Sequence, residues 1–212
     1  MSILYDAARG RIRKLLYRIY PEDQITDDYL HKLYGLIEEN MRDITCSLTK
    51  WDEKDTVLIT YGNSITRPGE KPLKTLHTFL KNDLADEIRC IHLLPFFPYS
   101  SDDGFSVIDH YQVDPHLGRW EDVREINREF DLMVDLVINH VSSKNQWFEN
   151  YLKGQSPGKD YFIEVEPATD ISKVTRPRSS SLTTPFQTSQ GVKYLWTTFS
   201  EDQPDLNFSH PW

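Results

Sequence analysis

Only two cysteines, Cys46 and Cys90, occur in 212 residues. Their spacing makes no metal-ligand pair, no redox motif and no disulfide framework. Two free thiols in a reducing compartment are the expectation. Long apolar runs are also missing, and no stretch approaches the ~20 apolar residues of a membrane span. The first twenty residues do not read as a secretory leader, because Arg9, Arg11, Arg13, Lys14 and Arg18 interrupt every apolar run. The expected location is the cytoplasm. Basic charge is in deficit as well: 24 Lys and Arg face 33 Asp and Glu, a net charge of −9. Such a chain is a poor match for nucleic acid or an anionic membrane surface, and neither is expected as a partner.

What is present is a soluble, globular composition, 38% hydrophobic and 27% charged. Residues 3–20 place apolar side chains at helical spacing, with Gly10 as a weak point, and Pro21 ends the element. Thr26 reads as the N-cap of a second helix, with Asp27 and Asp28 in the first turn where the helix dipole favours acids. Leu30, Leu33, Tyr34, Ile37, Met41 and Ile44 form its apolar stripe. From Thr56 the pattern changes. Residues 56–61 read as a strand, a helix opens at Pro72, and residues 88–94 form a second strand. A helix over 120–130 and a third strand over 132–138 follow. Strand and helix alternating in short order mean parallel βαβ units. After His140 the alternation stops. A short helix over 145–152 precedes a Ser-, Thr- and Pro-rich region with β-rich pieces at 161–165 and 194–199.

The most informative stretch is Asp135-Leu-Val-Ile-Asn139-His140. Its apolar run predicts a strand buried on both faces, with Asp135, Val137 and Asn139 on one side. Asn139 and His140 then fall at the carboxyl end, where parallel α/β sheets and barrels bind ligands.

That hexapeptide resembles the first conserved region of the α-amylase superfamily (glycoside hydrolase family 13). Gly104-Phe-Ser-Val-Ile-Asp109-His-Tyr111 resembles the same superfamily's loop after strand two. The segments 91–98, 102–105, 176–178 and 196–203 are similar to the sucrose phosphorylase subfamily. Within it, Ser100–Asp109, the helical extension and Asp205-Leu-Asn-Phe208 are more similar to glucosylglycerate phosphorylases. The resemblance implies an α/β fold: the N-terminal part of a (β/α)8 TIM barrel, with a helical N-terminal extension (1–52), three barrel strands (53–140) and an inserted domain after strand three (141–212).

It also implies an activity, retaining transfer of a glucosyl group to phosphate. The partners would be an α-glucoside and inorganic phosphate, with no cofactor and no metal. By resemblance Asp102 holds sugar hydroxyls, since a carboxylate accepts charge-assisted bonds from two at once. Asp103 competes with it but lies one residue off the pattern, and turn capping is the plain alternative for either. His140 would donate to a sugar hydroxyl. Phe105 and Phe199 would form an apolar clamp, although core packing is the commoner role for Phe. Arg178 would bind phosphate or an acceptor carboxylate bidentately, with Arg176 sharing that role or anchoring the loop. Gln203 is placed near the acceptor, with surface solvation nearly as well supported. Asp135, Asn139, Asp109 and Tyr111 are expected to be structural, with Tyr111 either in the core or stacked on sugar.

A retaining reaction needs two carboxyl groups about 5 Å apart. No Arg-x-Asp follows the insertion in these 212 residues. No nucleophile or acid/base is therefore assigned, and the chain alone is expected to be inactive. Its incomplete sheet is expected to self-associate.

Overall fold

The computed structural model describes residues 2–41, 52, 53, 55–175 and 179–210. Ile44, Cys46, Arg176 and Arg178 lie outside the described residues. The chain divides into two compact units, Met1–Lys50 and Trp51–Trp212.

The first unit holds two helices, α1 (Ser2–Ile19) and α2 (Asp27–Met41). Pro21 follows α1, and Tyr29 N donates to Thr26 Oγ1 at 3.2 Å, the expected cap. Arg9 pairs with Glu38, and Tyr34 Oη donates to the Arg9 carbonyl at 3.0 Å, which ties the helices together. Leu30 is buried, whereas Leu15 and Ile19 of the expected α1 stripe are exposed.

The second unit is built on strands β1 (Val57–Thr60), β2 (Cys90–Leu93) and β3 (Asp131–Val134), with helices α3 (Pro72–Phe79) and α4 (Trp120–Glu129) between them. The strands are parallel and lie in sequence order. Side-chain alternation splits the sheet into two faces. Leu58, Ile91 and Leu132 form one lateral row. They pack on a helix-side core of Leu73, Leu76, Leu80, Leu93, Ile126 and Phe130. The opposite row is Ile59, His92 and Met133. Ile59 and Met133 are exposed there. Pro72 starts α3 because its missing N–H is one that no helix can use at that position. Beyond Phe79 the helix relaxes into a π turn, Leu80–Leu84.

The third strand departs from expectation. It ends at Val134 instead of running on to 138, and it is not buried on both faces. Met133, Val134, Leu136 and Ile138 are all exposed. Among the described residues β3 pairs only with β2, so no ladder on its outer edge holds residues 135–138 extended.

After β3 come α5 (Gln146–Lys153) and an antiparallel hairpin of β4 (Thr183–Thr188) and β5 (Gly191–Trp196). Asn145 caps α5, accepting from Trp147 N at 2.8 Å. Phe148, Tyr151, Phe162 and Leu195 pack into a second core here. The piece around 161–165 joins by bridges Phe162 to Leu206 and Glu164 to Leu195. Strand β4 was not foreseen, because Thr183-Thr-Pro-Phe reads as loop until β5 supplies its partner.

Candidate functional site

Three loops leave the carboxyl ends of the parallel strands and meet. Tyr61 follows β1, the 95–114 loop follows β2, and residues 135–140 follow β3. The middle loop folds back on itself: Ser100 N donates to Ser106 O at 3.0 Å, and Ile108 N to Pro98 O at 2.7 Å. Its tip is tight. Asp102, Asp103 and Gly104 all take positive φ, 57°, 50° and 104°. Only glycine suits position 104, where a Cβ would stand 2.9 Å from the Pro95 carbonyl oxygen. The two aspartates carry strain that the surrounding contacts must offset.

These loops and the segment after β5 line a half-open cavity of about 490 Å3. Its walls are Tyr61, Asp102, Asp103, Phe105, Asp135, Leu136, Val137, Asn139, His140 and Phe199. Asp102, Phe105, His140 and Phe199, singled out from the sequence, thus come together. Asp103 also lines the cavity, and Asp102 is the one bonded to Gln203. Phe199 packs on His140 at a centroid distance of 5.0 Å.

Gln203 is not solvated at the surface. It is 1% exposed, below the cavity wall rather than in it. Its Nε2 lies 3.1 Å from Asp102 Oδ2 and 3.1 Å from His140 Nε2, and its Oε1 accepts from Ser200 Oγ at 2.8 Å. The amide orientation follows, because Oε1 facing a carboxylate would be repelled.

His140 is buried, and Nε2 lies 3.0 Å from the Phe105 carbonyl. One Nε2 cannot donate to that carbonyl and also accept from Gln203. With the proton on Nε2 the carbonyl is satisfied and bare Nδ1 is the buried atom without a partner. The other tautomer would bury an unpaired N–H, which costs more. We assign the Nε2–H tautomer on that ground. Burial lowers the His140 pKa, more than the nearby Phe105 carbonyl, Asp205 and Asp102 raise it, so the ring is neutral at pH 7.

Asp135 finds a partner in His92, with Nε2 to Oδ2 at 2.9 Å. It stands after β3, not within it, and Leu136 joins Asp135, Val137 and Asn139 at the cavity. Asn139 is exposed there, and its carbonyl accepts from Leu206 N at 2.8 Å. Asp109 accepts from Tyr111 N at 2.7 Å and Gln112 Nε2 at 2.8 Å. Tyr111 itself is 78% exposed and does not line the cavity, so it is not a core residue. Its backbone is what the fold uses, accepting from Trp120 Nε1 at 2.8 Å.

Sequence reasoning missed Tyr61, whose signal is an aromatic one residue past a strand end. It also missed Asp202, which gathers serines from two other loops and has no local signal. Asp205 is bonded by Thr198 Oγ1 at 2.5 Å and Thr198 N at 3.1 Å, yet burial still raises its pKa. Among the described residues no group of three or more His, Cys, Asp or Glu side chains is arranged to hold a metal ion. No helix among them is long and apolar enough to cross a membrane.

Parallel β/α units with a polar, aromatic-walled cavity at the strands' carboxyl ends make this an α/β protein, part of a (β/α)8 barrel. The chain belongs to the α-amylase family: the family described as Alpha amylase, catalytic domain, matches residues 84–212. It is 47% identical to a glucosylglycerate phosphorylase of Spirochaeta thermophila, over 95% of this chain and 35% of that protein. It is 53% identical to one of Allomeiothermus silvanus, over 76% of this chain and 29% of that protein. The crystal structure of sucrose 6F-phosphate phosphorylase from Thermoanaerobacter thermosaccharolyticum superposes with a TM-score of 0.66 at 30% identity, covering 76% of this chain and 35% of that one. The chain therefore spans about a third of the length of the curated relatives it matches.

Proposed function

We propose that this chain forms the glucosyl-binding part of a glycoside phosphorylase. In this reading the enzyme takes the glucosyl group from glucosylglycerate and passes it to inorganic phosphate, giving α-glucose 1-phosphate with retention. The observation that carries the reading is the cavity itself. Asp102 and neutral His140 face it, while Phe105 and Phe199 supply apolar surface, a mixture suited to a sugar's hydroxyl edges and C–H faces. Identity of 47% and 53% to glucosylglycerate phosphorylases, against 32% to the sucrose 6F-phosphate enzyme in the same sequence comparison, supports glycerate over a ketose as the acceptor.

Asp102 accepts two hydroxyls, and His140 donates Nε2–H to a third when sugar displaces the Phe105 carbonyl. Arg178 receives phosphate in one half-reaction and the glycerate carboxylate in the other. Gln203 acts on sugar only through Asp102, not by touching the acceptor. The nucleophile and the acid/base lie outside residues 1–212, and this chain alone turns over no glucoside. We assign residues 1–52 to a helical extension, 53–140 to the barrel and 141–212 to the inserted domain, and place the reaction in the cytoplasm. The exposed outer edge and inner face of β1–β3 lead the isolated chain to self-associate. A monodisperse monomer in light scattering would count against that point.

The test is phosphorolysis by the full-length gene product. Glucosylglycerate with phosphate should yield glucose 1-phosphate, and sucrose should yield far less. Release of free glucose at the same rate without phosphate would make it a hydrolase. Glucose 1-phosphate formed by the purified 212-residue chain would overturn the placing of the catalytic carboxylates. Saturable glucose binding with no turnover by the full-length product would favour a non-catalytic sugar-binding protein.

A further inference from the structure

One carboxylate ties together three segments that sequence keeps far apart. Asp202 Oδ2 accepts from Ser100 Oγ, from Ser101 Oγ at 2.6 Å and from Ser106 Oγ at 2.8 Å, while Oδ1 accepts from Ser143 Oγ. The backbone joins in, with Ser143 N donating to the Asp202 carbonyl at 2.9 Å. Ser142 Oγ lies 2.6 Å from Ser100 Oγ, and both Ser106 and Ser142 are fully buried. Every one of these hydroxyls lies within a few residues of a cavity wall. Ser101 precedes Asp102, Ser106 follows Phe105, Ser142 and Ser143 follow His140 closely, and Asp202 precedes Gln203.

The knot grips the 100–106 loop on both sides of its left-handed tip, where Asp102 has φ 57° and Asp103 φ 50°. Strained backbone of that kind persists only when its surroundings over-determine it. Asp202 reaches the tip from one side through serine hydroxyls. Gln203 reaches it from the other through Asp102 Oδ2.

We propose that Asp202 is a positioning residue, whose serine-bound carboxylate fixes Asp102, Phe105 and His140 relative to one another around the sugar cavity. It touches no substrate and acts through the loops it joins. Burial alone would raise the Asp202 pKa, but the hydroxyls of Ser100, Ser101, Ser143 and Ser106 together outweigh it and hold the carboxyl below its ordinary value. The carboxylate is therefore charged at neutral pH, which makes each serine bond charge-assisted and directional.

The activity arm of the test rests on the phosphorylase reading, and the structural arm does not. Asp202→Asn keeps the shape and removes the charge, while Ser143→Ala keeps the charge and removes the donor to Oδ1. Both are made in the full-length gene product and assayed where circular dichroism shows them folded. Amide hydrogen exchange should rise about tenfold or more in peptides covering 99–107 and 140–145 for Asp202→Asn, with β1 and β2 unchanged. Ser143→Ala should show the same pattern at smaller size. kcat/KM for glucosylglycerate should fall roughly ten- to hundredfold, as expected for lost bonds to a buried charge, with KM for phosphate within about twofold. A uniform rise in exchange across the strands, or loops as protected as in the wild type, would overturn the proposal. So would kcat/KM within about twofold of the wild type. A wild type without phosphorolysis would defeat the functional reading instead, and the exchange pattern alone would then decide the role of Asp202.

Discussion

Replacing Gln203 with leucine tests whether the buried amide matters to the cavity wall. The side chain is 1% exposed and leucine is close to it in volume, so packing is nearly kept and the polar bonds are what go. Two are lost: Nε2–H to Asp102 Oδ2 at 3.1 Å and Ser200 Oγ–H to Oε1 at 2.8 Å. A bond to a charged group contributes about 1.5–3 kcal/mol when buried. Asp102 is exposed and water can replace the amide there, which brings that loss to about 1 kcal/mol. The Ser200 bond adds roughly 0.5–1 kcal/mol. Leucine recovers part of this through apolar burial, leaving a destabilisation of about 1–1.5 kcal/mol. At the ~2–4 °C per kcal/mol typical of a unit this size, Tm should drop by roughly 2–6 °C. Freed from Gln203, Asp102 should lose its placing in the cavity wall, with glucose affinity down about tenfold. Scanning calorimetry and a glucose titration followed by isothermal calorimetry measure both. A Tm within 1 °C of the wild type with unchanged glucose affinity would refute the reasoning (~1.4 kcal/mol is tenfold).

Gly104→Ala forces a Cβ to 2.9 Å from the Pro95 oxygen at φ 104°, and should cost about 1–3 kcal/mol by denaturant unfolding; a neutral result would mean the loop tip relaxes freely. Leu76→Ala empties a site 1% exposed between α3 and the sheet, and should cost about 2–5 kcal/mol; a loss below 1 kcal/mol would show that the core is not closed there. Tyr151 provides a test in alkali. Burial first, and then its 2.9 Å bond to Glu164, raise its pKa well above the ordinary value. A raised pKa gives stability that is full below the unfolded value of about 10 and is lost as pH climbs past it. The Tm gap between wild type and Tyr151→Phe should therefore be constant from about pH 7 to 9 and narrow above about pH 10. Parallel curves up to about pH 11 would contradict this.

The parallel β/α units were legible because their signals are local. Apolar runs of strand length, Pro72 at a helix start and Thr26 and Asn145 at caps each depend on neighbours a few residues away. Asp102, Phe105, His140 and Phe199 were legible as motif members, and the cavity contains all four. The end of β3 was not, because an apolar run cannot tell whether a further strand pairs beside it. Composition could not separate a solvated Gln203 from a buried one, nor place Tyr111 in water. Strand β4 was hidden for the same reason, since Thr- and Pro-containing sequence becomes a strand only against β5. The serine knot illustrates the limit most clearly. Ser100 and Asp202 are 102 residues apart, and Ser100 and Ser142 are 42 apart. Short-range periodicity decided which segments become strands and helices. Which hydroxyls meet which carboxylate was decided only where the loops converge, because a hydrogen bond depends on distances of about 3 Å that no spacing along the chain encodes.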